Sequence, residues 1–147
     1  MIDARTAYRE IAGGGANPVR LVAMLYEQMI EDLRQAIQAI DGNRIDARTN
    51  AINHAILILG HLQNKLDHTA GGEVARNLER FYNLTRQKLL EAQFEVSREI
   101  LAEQMSLLLD LRDAWTQVEQ AETTGSAPIA PAAVRLRGSG ELGDWKG

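Results

Sequence analysis

Residues 18–40, PVRLVAMLYEQMIEDLRQAIQAI, carry the pattern that decides the fold. Their apolar side chains recur every three or four positions: Val22, Leu25, Tyr26, Met29, Leu33, Ala36, Ile37 and Ile40. This spacing predicts one long helix with an apolar face. Asn17 offers an N-cap and Pro18 suits the first helical position, while Asp41-Gly42-Asn43 predicts the end of the helix. At 1.5 Å per residue, about 23 residues extend roughly 35 Å.

Two further helices follow the first. The second is predicted over residues 45–66, where the apolar positions again recur at helical spacing. Gly71-Gly72 then predicts a break in the helical pattern, and Glu73 provides the negative charge that a new helix N-terminus favours. The third helix therefore spans about residues 74–92.

Ser97 is the N-cap candidate that separates the third helix from a fourth. Without a turn there, one helix over residues 74–121 would be about 70 Å long, twice the length of its neighbours, and could not pack along its whole length. We therefore expect a turn at Ser97 and a fourth helix that carries Leu101 to Val118. The sequence predicts an all-α, antiparallel four-helix bundle.

Composition agrees with this class. Hydrophobic residues make up 45% of the 147 residues and aromatic residues 5%, which is typical of packed helices. The net charge of −4 disfavours a nucleic-acid partner, and zero cysteines exclude a disulfide framework. No apolar stretch approaches the roughly 20 residues of a membrane span, and the N-terminus lacks a signal-peptide h-region. We expect a cytoplasmic protein without membrane insertion.

The chain is predicted to contain one folded domain with two flanking segments. Residues 1–16 form an N-terminal arm with a glycine hinge at Gly13-Gly14-Gly15. Residues 17–122 form the bundle. Residues 123–147 are rich in Gly, Pro, Ala and Ser, which predicts a disordered tail.

No residue pattern predicts a catalytic or metal site. His54, His61 and His68 are seven residues apart, about 10.5 Å along a helix, whereas two nitrogens that share a zinc ion lie about 2 Å from it. The chain contains no Glu-x-x-His motif of the kind used by di-iron bundles. We therefore predict no cofactor, no metal ligand and no enzymatic activity.

Two other functions remain open from the residues. A histidine phosphotransfer bundle needs an exposed histidine with a nearby lysine, and His61 has Lys65 one turn away, although the His-x-x-Lys-Gly pattern is missing. A general helical adaptor would need only an apolar surface.

The sequence contains more apolar positions than one bundle seam requires. Ile58 and Leu62 flank the core stripe of the second helix, and Leu84 lies outside the best stripe of the third. Broad packing faces in a short bundle would explain them. The functional alternative is a groove for an amphipathic helix of a partner, covered by Tyr8 and Ile11 when it is empty.

The chain resembles the flagellar export chaperone family FliS over roughly Ala7 to Val118. The resemblance rests on the following segments, in order and at matching spacing: Ala7-Tyr8, residues 17–27 (NPVRLVAMLYE), residues 71–78 (GGEVARNL), Phe81-Tyr82 and residues 111–115 (LRDAW).

This resemblance implies a cytosolic chaperone that binds the disordered C-terminal segment of flagellin. It would prevent premature polymerisation and assist type III flagellar export, with the export apparatus as a second expected partner. The family's client helices lie in hydrophobic grooves, and its N-terminal arm covers one groove in the free state. Carried over, the arm is the segment around Tyr8, and the groove walls are Ile58, Leu62 and Leu84. Whether the free chain forms a homodimer stays open.

Overall fold

In the computed structural model, which describes residues 7–8 and 18–124, four helices follow one another. Their bounds are α1 Pro18–Asp41, α2 Ile45–Asn64, α3 His68–Glu95 and α4 Arg98–Thr124. Within the described residues there is no β-strand. The predicted all-helical fold with four helices is therefore confirmed.

The helices pack in the order in which they follow one another, and α1 closes the bundle against α4. Connections of two or three residues force each helix to run antiparallel to the next. The backbone of α1 approaches α2 and α4 more closely than α3 approaches its two neighbours. Buried alanines such as Ala36 and Ala55 allow close approach, whereas α3 contributes the bulky Phe81 and Tyr82.

The beginning of α3 differs from the prediction. The helix begins at His68 rather than near Glu73, because Asp67 caps it by accepting a hydrogen bond from the Ala70 amide at 2.9 Å. The predicted break survives as a kink inside α3: Gly72 has φ 52° and ψ −125°, which side chains disfavour.

The turn between α3 and α4 confirms the prediction at Ser97. Val96 ends α3 in the left-handed region with φ 55°, which is rare for a β-branched residue. The Ser97 hydroxyl oxygen then accepts a hydrogen bond from the Ile100 amide at 3.1 Å. Two residues thus suffice to reverse the chain.

The core fills the space between the helices, and Ile58 and Leu62 belong to it. Their exposed fractions are 4% and 0%, so the expectation that they flank the core is wrong. The rotation of α2 about its axis turns both residues inward. Ile11, the glycine hinge and residues 125–147 of the predicted tail lie outside the described residues. In the part that is described, no helix is both long and apolar enough to cross a bilayer.

Candidate partner-binding site

The N-terminal Ala7 and Tyr8 are fully buried at one end of the bundle. They lie at the end of α2, the start of α3 and the second half of α4. We call the residues that contact or surround them the arm seat: Tyr26, Leu62, Asp67, Gly71, Tyr82 and Trp115.

Three tyrosine hydroxyls form a chain of hydrogen bonds inside the arm seat. The Tyr8 hydroxyl donates to the Leu62 carbonyl oxygen at 2.9 Å and lies 2.8 Å from the Tyr82 hydroxyl. The Tyr82 hydroxyl is in turn 2.6 Å from that of Tyr26. Each hydroxyl has one proton, and Tyr8 uses its proton on Leu62. Tyr82 must therefore donate to Tyr8, and Tyr26 to Tyr82.

Ala7 is held by a backbone hydrogen bond, and it fits because the residue opposite it, Gly71, has no side chain. Its carbonyl oxygen accepts a hydrogen bond from the Asp67 amide at 2.7 Å. A Cβ atom on Gly71 would lie 2.8 Å from the Ala7 Cα and 2.8 Å from the Ala75 Cβ. Carbon atoms pack at about 3.5–4.0 Å, so only glycine at position 71 leaves room for the arm.

Trp115 packs against two of the tyrosine rings in the arm seat. Its ring meets those of Tyr8 and Tyr26 edge to face, with centroid distances of 5.7 and 5.9 Å. The indole nitrogen Nε1 is buried and makes no hydrogen bond to a described residue. The indole N–H still acts on the Tyr26 hydroxyl and lowers its pKa, against the larger effect of burial.

Burial is the main electrostatic influence on the three hydroxyls. It raises the pKa of Tyr8, Tyr26 and Tyr82 well above the usual tyrosine value, because an anion would be poorly solvated there. Charge repulsion from a neighbouring tyrosine raises each pKa further, whereas the hydrogen bond with Tyr82 lowers the pKa of Tyr8 and the hydrogen bond with Tyr26 lowers that of Tyr82. The hydroxyls are therefore neutral hydrogen-bonding groups.

The predicted site residues do not all meet. Tyr8 and Leu62 are joined by the hydrogen bond described above, whereas Ile58 is buried in the core along α2. Leu84 is half-buried and lines a hollow on the solvent side of α3 instead. Ile11 is outside the described residues, so its role stays a prediction.

Sequence reasoning missed most of the arm seat. Tyr26 belongs to the apolar repeat of the first helix, and Tyr82 and Trp115 lie in segments that carry the family resemblance, but no sequence pattern predicts that they meet around Tyr8. Gly71 was expected only to break the helical pattern. One signal was available in composition: the chain has only three tyrosines, and all three lie in this one cluster.

The histidines do not form a metal site. His54 Nδ1 lies 2.6 Å from a carboxylate oxygen of the buried Asp32, and His68 lies 3.5 Å from Glu79. His61 is exposed. Within residues 7–8 and 18–124, no three His, Cys, Asp or Glu side chains come together as a metal-binding group.

Comparison with known proteins identifies the family. The model of the family described as "Flagellar protein FliS" matches residues 1–122. The chain is 37% identical to the flagellar secretion chaperone FliSB of Pseudomonas aeruginosa over 100 residues, 68% of this chain and 79% of the relative. It is 32% identical to the flagellar secretion chaperone FliS of Campylobacter jejuni, covering 82% of this chain and 94% of the relative. It is 29% identical to the flagellar secretion chaperone FliS of Bacillus subtilis, covering 85% of this chain and 95% of the relative. The chain therefore belongs to the FliS family of flagellar proteins.

Proposed function

We propose that this chain is a flagellar export chaperone that binds the disordered C-terminal segment of flagellin. The binding keeps flagellin from polymerising in the cytoplasm and presents it to the type III export apparatus. The names of the relatives support a flagellar secretion chaperone. The observation that carries the client-binding part is the arm seat, a buried site occupied by a two-residue segment from the chain's own N-terminus.

The arm acts as a built-in competitor for the client. Ala7 and Tyr8 reach the bundle through residues 9–17, which include three consecutive glycines. A tethered segment has an effective concentration in the millimolar range for a short flexible linker, so modest contacts keep it seated. A client must displace the arm before it can occupy the arm seat, so the arm lowers the affinity for the client.

Weak net binding suits a client that is later released for export. A disordered segment loses conformational entropy when it folds on a surface, which lowers its affinity for a given contact area. Competition with the arm lowers the affinity further. Once the client leaves, the arm returns and covers the apolar and hydrogen-bonding groups of the arm seat.

The predicted groove walls remain proposals within this scheme. Leu62 contributes its carbonyl oxygen to the arm seat and is covered while Tyr8 is in place. Ile58 belongs to the same helix, one turn earlier, and Ile11 follows Tyr8 in the arm. Leu84 lies apart from them on the outer side of α3, where only a second segment of the client would reach it.

The substitution Gly71→Ala tests the competition directly. The new Cβ would lie 2.8 Å from both the Ala7 Cα and the buried Ala75 Cβ, so it should unseat the arm, while the tyrosine hydroxyls and Trp115 stay in place for the client; circular dichroism checks that the helices persist. If the free chain has an open seat for roughly 1–10% of the time, client affinity should rise roughly 10- to 100-fold. Fluorescence anisotropy of a labelled flagellin C-terminal peptide measures the change.

Gly60→Ala is the matched control, because a Cβ there meets nothing within 4 Å. It should leave client affinity unchanged. Deletion of residues 1–15 should act like Gly71→Ala. A ten-fold weaker complex after deletion would instead make the arm part of the client site, and a peptide that fails to bind any variant would contradict flagellin as the client.

A further inference from the structure

The solvent side of α3 has a depression that neither the core nor the arm seat uses. We call it the basic hollow, and its volume is about 550 Å³. Ligand sites in proteins have volumes of about 300–1,000 Å³, so the basic hollow can hold a large side chain together with its neighbours. Its lining includes His68, Arg76, Glu79, Arg80, Asn83 and Leu84.

Two guanidinium groups make this surface suitable for an acidic ligand. Arg76 and Arg80 are exposed, and neither makes an ion pair with another residue of 7–8 or 18–124. Glu79, the carboxylate of the lining, is already engaged: His68 lies 3.5 Å from one of its oxygens, and the Gln63 amide donates to the other at 2.9 Å. A ligand of the basic hollow should therefore carry carboxylates of its own.

A segment with this chemistry lies in the chain itself, beyond the four helices. Residues 141–145, ELGDW, contain two carboxylates and two apolar side chains within five positions, and we call them the acidic segment. The sixteen residues before it, 125–140, contain no acidic residue. The acidic segment lies outside the family match, which covers residues 1–122, so the family assigns it no role.

The acidic segment and the basic hollow complement each other. Glu141 and Asp144 offer one carboxylate to each of the two arginines. The half-buried Leu84 gives the hollow an apolar wall against which the Trp145 ring can pack. An indole face also attracts a guanidinium, so the same ring suits a surface that combines leucine and arginine.

The end of α4 brings the chain close to the basic hollow. Residues 96–97 connect the antiparallel helices α3 and α4, so residues equally far from this turn lie level with each other. Thr124 is therefore level with the first turn of α3, where the hollow begins with His68. The two arginines follow about 10 to 17 Å further along α3, at 1.5 Å per residue.

Residues 125–140 are long enough to cover this distance. A flexible chain of sixteen residues has a root-mean-square length of about 20–24 Å and spans at most about 55 Å. The acidic segment can therefore reach the arginines without full extension of the residues before it. A short flexible tether gives an effective concentration in the millimolar range, so a weak contact suffices to hold the segment.

The other end of α3 does not suit the acidic segment. Phe94 and Leu90 are 89% and 53% exposed there, but the exposed Glu91 and Glu95 beside them would repel the two carboxylates. Phe94 is also about 37 Å along α3 from the level of Thr124, at 1.5 Å per residue. Charge and distance both favour the basic hollow.

We propose that the acidic segment, residues 141–145, binds in the basic hollow of its own chain. Its two carboxylates pair with the two arginines, and Trp145 covers Leu84. The contact does not depend on the client proposal, because it needs neither flagellin nor an open arm seat. A partner that uses Leu84 must first displace the acidic segment.

A spin label tests the contact on the full chain. The chain has no cysteine, so Ser139→Cys provides a single attachment site two residues before the acidic segment. In nuclear magnetic resonance spectra, the label should broaden the amide signals of Arg76 and Arg80, and reduction of the label should restore them. The amide of Gly42, in the turn at the far end of the bundle, should keep its intensity.

Tryptophan fluorescence gives a second measurement. Trp115 is buried, so acrylamide quenching reports mainly on Trp145. Arg76→Gln/Arg80→Gln removes two exposed charges and should keep the helicity. The loss of two exposed ion pairs should lower the ratio of bound to free segment roughly 2- to 30-fold, with a matching rise in quenching and loss of broadening. High salt should act in the same direction, because it screens exposed charges.

Charge exchange tests the pairing itself. Arg76→Glu/Arg80→Glu and Glu141→Arg/Asp144→Arg should each release the acidic segment, and the chain that carries all four changes should bind it again. Arg135→Gln/Arg137→Gln is the matched control, since it removes two charges from the same tail outside the acidic segment and should leave the contact intact.

Three results would overturn the proposal. The first is a wild-type sequence in which the label at position 139 broadens no signal of the basic hollow. The second is a four-fold variant that stays released. The third is broadening that arises only between molecules, when a spin-labelled chain is mixed with an isotope-enriched chain without label, because the segment would then bind a second copy.

Discussion

The hydroxyl of Tyr8 occupies a position where both of its hydrogen bonds are needed. It donates to the Leu62 carbonyl oxygen and accepts from Tyr82, and both partners are buried. A buried polar group that loses its partner costs about 1–3 kcal/mol, more than the hydrogen bond itself contributes. The arm seat is therefore selective for a hydroxyl and not merely for an aromatic ring.

Tyr8→Phe should loosen the arm while keeping its ring. The Leu62 carbonyl and the Tyr82 proton lose their partner, at a cost of about 1–3 kcal/mol. The Asp67 amide, which donates to Ala7 only while the arm is seated, should then exchange about 5- to 150-fold faster with deuterium. Tyr26→Phe is the control: it removes a donor to Tyr82 and should affect this amide much less. Equal exchange in both variants would contradict the proton order.

Alkaline titration should reveal the shared burial of the tyrosines. Their folded pKa values are raised, so the neutral hydroxyls contribute stability that is complete below the unfolded pKa of about 10 and is lost as pH rises toward the folded values. Tyrosinate absorbance should appear together with loss of helicity. Because the chain has only three tyrosines, no other residue obscures the signal. Absorbance that appears at pH 10 with the helices intact would contradict this.

At the scale of elements, the two glycines before the main part of α3 have different tasks. Gly71 leaves space for Ala7, and Gly72 provides a backbone conformation. The composition of the pair predicted a break, and the structure places that break inside a helix that Asp67 has already capped.

Gly72→Ala should destabilise the chain, because φ 52° with ψ −125° is strained for any residue with a Cβ. The cost should be about 1–3 kcal/mol in the free energy of unfolding by urea. Gly60→Ala, in the middle of α2 with open space around it, should stabilise by up to about 1 kcal/mol. If both changes stabilise, the kink at Gly72 is not required by the fold.

At the scale of the whole molecule, Arg98 joins the beginning of α4 to the end of α1. Its guanidinium donates two hydrogen bonds of 3.0 Å to the Asp41 carboxylate. These bonds lower the pKa of Asp41 and raise that of Arg98. Since α1 and α4 are the first and last helices of residues 18–124, this contact links distant parts of the chain at the end opposite the arm seat.

The stabilising effect of this ion pair should depend on pH. A lowered folded pKa means that Asp41 contributes stability above its unfolded value of about 4 and loses it as pH falls through the folded value. At pH 7, Arg98→Gln should therefore melt slightly below the wild type, and the difference should vanish in acid. Calorimetry at several pH values measures this. A constant difference down to pH 2 would contradict the assignment.

Local sequence determined the number of helices and most of their ends. The apolar repeat of residues 18–40 and the cap at Ser97 each act within a few residues, so the chain order alone reveals them. The family was equally accessible, because its motifs are short segments in a fixed order, and the match over residues 1–122 confirms the recognition.

The tertiary structure decided how each helix is rotated and which distant residues meet. Ile58 and Leu62 were predicted to flank the core stripe, but both are buried in the core, because periodicity defines a broad apolar face and not its direction. Tyr8 and Tyr82 are 74 positions apart, and no local rule joins their hydroxyls. The sequence by itself determined the helices and the family, whereas only packing could bring the three tyrosines together, because their contacts join residues that are far apart in the chain.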